Sequence, residues 1–107
     1  MKLDENTLME LIIYAGEARS DAMAALRAAR EHDWGKMDQM LNSASVAARK
    51  AHQIQTSLIS ADEGCGKIPV NLILAHAQDH LMNAILCRDL VEELVYLHRE
   101  IADLKRG

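Results

Sequence analysis

Four polar side chains interrupt an apolar stretch at Ala75-His76-Ala77-Gln78-Asp79-His80-Leu81-Met82. An imidazole can serve as nucleophile, proton carrier or metal ligand. On a helix, residues three and four apart share a face, so His76 is flanked by Asp79 on one side and His80 on the other. The i, i+4 spacing of His76 and His80 also suits two imidazoles meeting one metal ion. That signal is weak here, because no Glu follows His76 to complete HExxH and bundle metal sites recruit carboxylates from further helices. A plainer reading makes His76 a core histidine and has Asp79 bond a neighbouring helix. Of the other histidines, His52 on Ala51-His52-Gln53-Ile54-Gln55-Thr56 is the one to test, while His32 and His98 read as solvated or structural.

The elements that must position these groups follow from sparse punctuation. Pro69 is the single proline, and Gly35, Gly64 and Gly66 mark two places where helical patterns pause. The first segment, capped by Asp4, carries Leu8, Leu11, Ile12, Ala15, Ala18, Ala22, Ala25, Leu26 and Ala29 at alternating spacings of three and four. After Glu31 to Gly35, with Asp33 as cap, Met37, Met40, Leu41, Ala44, Ala47, Ala48, Ala51, Ile54 and Leu58 repeat in the same way until Ser60 to Glu63. Beyond the Gly64-Cys65-Gly66 turn, Pro69 or the alternative cap Asn71 opens a third helix running towards Leu104. Short connections make neighbours antiparallel, so the expected fold is all-α, one antiparallel three-helix bundle over residues 1–107. Gly16 interrupts helix one at a cost of about 1 kcal/mol against Ala, which a close helix crossing would offset, or which stands as a tolerated defect.

Helix three has two apolar stripes. One reads Leu74, Ala77, Leu81, Ala84, Ile85, Val91 and Val95; the other reads Leu72, Ala75, Met82, Leu86, Leu90, Leu94, Leu97, Ile101 and Leu104. A three-helix bundle buries only one of them, so the second marks an association surface, for copies of this chain or for a partner protein. Asp79 lies on that second stripe, where burial of its carboxylate costs several kcal/mol unless it is paired, protonated or bound to metal.

Composition narrows the function. The 107 residues fit one core, and with 50% hydrophobic residues, no Phe and a net charge of −4 that core must be aliphatic. Acids and bases alternate along the chain, so no basic patch with stacking aromatics is offered to nucleic acid. None of the apolar runs reaches the roughly 20 residues that span a bilayer, and Lys2, Asp4 and Glu5 do not open a secretory signal, so the expected location is the cytoplasm. Cys65 and Cys87 stand 22 positions apart with no CxxC and read as free thiols.

Three stretches in order carry a family resemblance: Tyr14-Ala15-Gly16-Glu17-Ala18-Arg19-Ser20, Ala51-His52 with Gln55-Thr56, and His76-Ala77-Gln78-Asp79-His80-Leu81-Met82. Together they make the chain resemble the lactose/cellobiose (N,N'-diacetylchitobiose) type of enzyme IIA of the bacterial sugar phosphotransferase system. The resemblance implies a homotrimer of nine helices joined through helix three. It implies that His76, through Nε2, accepts a phosphoryl group from the histidine phosphocarrier protein and passes it to a cysteine of a IIB component during disaccharide uptake. Gln78 and His80 match positions around the phosphate, and Asp79 matches an aspartate that binds a metal ion on the trimer axis, with Mg²⁺ favoured by oxygen ligands. Two departures are Gly64-Cys65-Gly66 in place of a more acidic loop and Asn83 where many relatives have Thr. A metal-storing bundle using His76 and His80, and a non-catalytic helical adaptor, are the competing functions.

Overall fold

A computed structural model describes residues 5–106, which form three helices: α1 (Glu5–Arg30), α2 (Trp34–Asp62) and α3 (Leu72–Arg106). The expected cap Asp4 lies outside the described residues. Among the described residues there is no strand. The chain runs up, down and up, so α1 and α3 are parallel and α2 opposes both. Leu8 and Leu11 of α1 sit level with Leu74, Ala77 and Leu81 of α3, whereas Ala22, Ala25 and Ala29 sit level with Val91 and Val95.

Local chemistry explains the two reversals. At the end of α1, Asp33 N–H donates to the Ala28 carbonyl at 2.9 Å and His32 N–H donates to Ala29 at 3.0 Å, a Schellman closure with His32 in the left-handed position. Asp33 then opens α2, its Oδ1 accepting from Lys36 N–H at 3.2 Å, so one residue closes one helix and starts the next. The second reversal is longer. Glu63, Gly64 and Gly66 all have positive φ, and the Asp62 carboxylate accepts from the N–H groups of Gly66 and Ile68 at 3.3 and 2.9 Å. Pro69 remains in this loop, and the cap of α3 is Asn71, whose Oδ1 accepts from Leu74 N–H at 2.9 Å.

Eleven of the nineteen buried hydrophobic residues are alanine, concentrated on α1, which packs along both other helices while α2 and α3 meet over less of their length. Small side chains let helix axes approach closely, so α1 acts as the central stave. Leu11 and Leu81 are the largest side chains that are fully buried. Gly16 does not serve that close approach, contrary to the sequence expectation: a Cβ built there meets no atom within 4 Å. Its place is beside an open cleft, not under a neighbouring helix.

On α3 the two stripes separate as the periodicity predicts. Leu74, Ala77, Leu81, Ala84, Val91 and Val95 are buried, whereas Leu72, Met82, Leu86, Leu90, Leu94, Leu97, Ile101 and Leu104 are exposed, Met82 at 61%. A nearly continuous apolar strip therefore runs the length of a molecule 59 Å long. No helix among the described residues is long and apolar enough to cross a membrane. Cys65 is exposed and Cys87 half-buried, and both are free.

Candidate active site

His76 lies one turn into α3, and helical spacing places it between the exposed stripe and the flank that faces α1. It is exposed, which removes the core-histidine reading. Its ring meets that of His80 edge to face, with centroids 4.7 Å apart. His80 is half-buried because it leans into a cleft whose other wall is α1, lined by Gly16, Arg19, Ser20, Met23 and Arg27. The pair thus has one imidazole presented to solvent and a second braced behind it. A neutral imidazole presented in this way can take up an electrophile on its free ring nitrogen while the neighbouring ring donates a hydrogen bond.

Asp79 does not reach another helix, so that expectation is corrected. It is exposed, and its Oδ1 accepts from Asn83 Nδ2 at 3.2 Å one turn along the same helix. Asn83, noted in the sequence only as a departure from the family pattern, therefore orients the carboxylate. Both sit on the exposed apolar strip between Ala75, Met82 and Leu86. Neither the histidine pair nor Asp79 has a third partner for a metal within one chain: no group of three or more His, Cys, Asp or Glu that could hold an ion occurs among the described residues.

Gln78 points the other way. Residues two apart on a helix do not face each other, and Gln78 donates through Nε2 to Gln55 Oε1 of α2 on the far flank. Gln55 belongs to the Ala51-His52…Gln55-Thr56 stretch, which gives that motif a structural role. His52 is exposed in a groove between α2 and α3 with Arg49, Ile85 and Arg88, away from the His76 cleft. His32 stacks on Trp34 with centroids 5.4 Å apart, and Arg99 lies over the same indole at 5.3 Å, so this end of the bundle carries an aromatic plug.

Comparison with known proteins decides the family. The sequence pattern of the PTS system lactose/cellobiose-specific IIA subunit matches residues 6–99. The chain belongs to this family. As a IIA subunit of the phosphotransferase system, it is 45% identical over 97 residues to the N,N'-diacetylchitobiose-specific EIIA component of Escherichia coli, covering 91% of this chain and 84% of that protein. The crystal structure of the cellobiose-specific enzyme IIA of Bacillus anthracis matches with a TM-score of 0.89 at 36% identity, over 96% of this chain and 94% of that one. A solution structure of Escherichia coli IIA(Chitobiose) in complex with HPr matches with a TM-score of 0.81 at 42% identity, over 95% and 99% of the two chains. The adaptor and metal-store readings lose their support, since one phosphotransferase family accounts for residues 6–99.

Arg19 and Ser20 are the cleft residues that sequence reasoning left without a role, and Gly16 the one it gave a different role. The signal was available, because all three stand in the α1 stretch that carries the resemblance. Only packing could put that stretch opposite His80.

Proposed function

We propose that this IIA subunit is a phosphohistidine carrier: His76 accepts a phosphoryl group from the histidine phosphocarrier protein and passes it to a cysteine of the cognate IIB component during disaccharide uptake. The observation that carries the reading is the exposed His76 ring with the half-buried His80 ring at 4.7 Å behind it. The relative solved with HPr supports the choice of donor. In the forward step a lone pair of the His76 imidazole attacks phosphorus in line. The new N–P bond forms as the donor's N–P bond breaks, and the donor imidazole leaves with the electron pair. Delivery to a IIB thiolate repeats the exchange, with His76 as the leaving group and an S–P bond as product. There is little covalent work for other side chains, so positioning and charge stabilisation dominate.

His80, whose ring lies beside that of His76, would donate to a phosphoryl oxygen from within the same chain. Gln78, on the opposite flank of α3, would serve such a group from a neighbouring copy. The homotrimer through α3 is supported by the exposed strip from Leu72 to Leu104, which three parallel helices would cover. Asp79 is the residue that would hold a divalent ion, Mg²⁺ by its oxygen donor. One carboxylate falls short of the roughly six oxygens that Mg²⁺ requires, so the fit holds only when three copies converge and water completes the shell. Bound there, the ion would neutralise carboxylates brought onto an apolar axis. The subunit then works in the cytoplasm as a relay that does not itself touch sugar.

The direct test is incubation with phosphoenolpyruvate and the two general phosphotransferase proteins, followed by mapping of the label. Acid-labile phosphate on His76 is the expected result. Label on His52, or no label at all, would overturn the assignment.

A further inference from the structure

The cleft beside His80 has a composition that the relay chemistry has not yet used. Its lining is Gly16, Arg19, Ser20, Met23, Arg27 and His80, which sets two arginines and a serine along one cleft with no carboxylate residue among them. Among the described residues neither arginine forms an ion pair, although the molecule pairs Arg88 with both Asp89 and Glu92 at 3.0 Å. A guanidinium left unpaired in a chain of net charge −4 is available to an anion.

Register decides which arginine matters. Because α1 and α3 run parallel, the N-terminal direction along α1 is also the direction of His76. Helical side chains lean towards the N-terminus of their helix, so the Arg19 guanidinium leans from its own level towards the His76 and His80 rings. Arg27 starts eight residues further on, about 12 Å along the axis. Gly16, one turn nearer than Arg19, leaves the intervening space open, since a Cβ there meets nothing within 4 Å. The open space at Gly16 leaves room beside Arg19 and His80 for a small anion.

We propose that Arg19 is a phosphoryl-binding residue of this IIA subunit, donating guanidinium N–H bonds to the oxygens of the group carried on His76, across the gap that Gly16 leaves. The proposal rests on the relay reading given above. No bond to phosphorus is made or broken by Arg19; it stabilises the charged phosphoryl group in place, and Ser20 offers a second donor on the same wall. Arg19 is suited to this because its planar fork matches two phosphate oxygens, a geometry Lys cannot reproduce.

The test is the equilibrium of phosphoryl exchange between the histidine phosphocarrier protein and full-length IIA subunit, wild type against Arg19→Gln, Arg19→Lys and Arg27→Gln. Docking contacts with the donor cancel from this equilibrium, which depends only on the separated phosphorylated and free forms. Arg19→Gln is expected to shift it about tenfold towards the donor, with part of the shift recovered in Arg19→Lys. Arg27→Gln removes the same charge and is expected to move it less than about threefold. Melting curves should superimpose for all four proteins. An unchanged equilibrium in Arg19→Gln with slower transfer only at low donor concentration would make Arg19 a docking residue and overturn the proposal. Equal shifts for both arginines would also overturn it, because general charge would then explain the effect. A wild-type protein that takes no label on His76 would end the relay reading and this one together, a failure distinct from an unmoved equilibrium.

Discussion

The two flanks of α3 treat their polar groups in opposite ways. On the flank facing α2, Gln78 is bonded to Gln55, and Arg88 donates through Nε to Ser45 Oγ at 3.0 Å while holding Asp89 and Glu92. On the flank facing α1, His76 is exposed, His80 packs against the His76 ring and lines the cleft, and Arg19 and Arg27 are without carboxylate partners among the described residues. Paired groups hold helices in register, and a group already committed to a partner has less to offer a substrate. On the proposed relay, the groups that would meet a transient phosphoryl group, His76, His80 and Arg19, are left unpaired, at the modest cost of keeping them near water. The flank with fewer internal hydrogen bonds would then be the reactive one.

The largest effect that can break this contrast comes from His76→Ala. It should abolish phosphoryl acceptance while leaving helical circular dichroism nearly unchanged, because an exposed side chain contributes little to packing. Undiminished labelling of the variant would move the chemistry to His80 or His52 and end the distinction between flanks. Next in size is His80→Gln, expected to slow acceptance by less than the roughly 100-fold that loss of one positioned donor costs, because the Gln amide still donates from a displaced atom. Single-turnover labelling measures this, and complete loss with the fold intact would promote His80 from support to acceptor.

A third experiment probes the strip between the flanks. If three Asp79 carboxylates share one divalent ion, chelation should loosen the trimer by crowding like charges on an apolar axis. Asp79→Leu should instead be neutral or stabilising, up to about 1–4 kcal/mol, and should free assembly from metal. Sedimentation of both proteins with and without chelator reads the outcome. A wild-type assembly indifferent to chelator beside an Asp79→Leu variant that dissociates would replace the metal by protein hydrogen bonds, with Asn83 as the first partner to test.

The smallest expected effect lies on the paired flank. Gln55→Ala removes the partner of Gln78 and should cost about 1 kcal/mol in urea denaturation. If Gln78 serves the phosphate from a neighbouring copy, the same variant should also alter the labelling rate. A pure stability loss would confine Gln78 to structure and sharpen the difference between the two sides of α3.

Several of these features were legible before any coordinates. Asp33 announces a cap because a short acceptor precedes a periodic run, and the three-and-four spacing of Leu74, Ala77, Leu81 and Ala84 against Met82, Leu86 and Leu90 separates a buried from an exposed stripe by helical geometry alone. Asn71 was legible as an alternative, and its bond to Leu74 made the choice over Pro69. Helical spacing likewise set His76 beside His80. These are short-range facts, fixed by 3.6 residues per turn and by the donors and acceptors within one turn.

What spacing along the chain does not encode is which way a polar side chain turns when several neighbours are available. Sequence spacing offered a crossing or a tolerated defect at Gly16 and, in its plainer reading, a bond from Asp79 to another helix. Within one chain, packing sets Gly16 on an open cleft, ties Asp79 to Asn83 and bonds Gln78 to Gln55. The parallel alignment of α1 with α3 also brought Arg19 and Ser20, some sixty positions away in the chain, to the wall opposite His80. The helices were written in local periodicity; the cleft exists only because the alanine-lined faces of α1 hold the other two helices at a particular rotation and register, and those depend on every contact along the bundle at once.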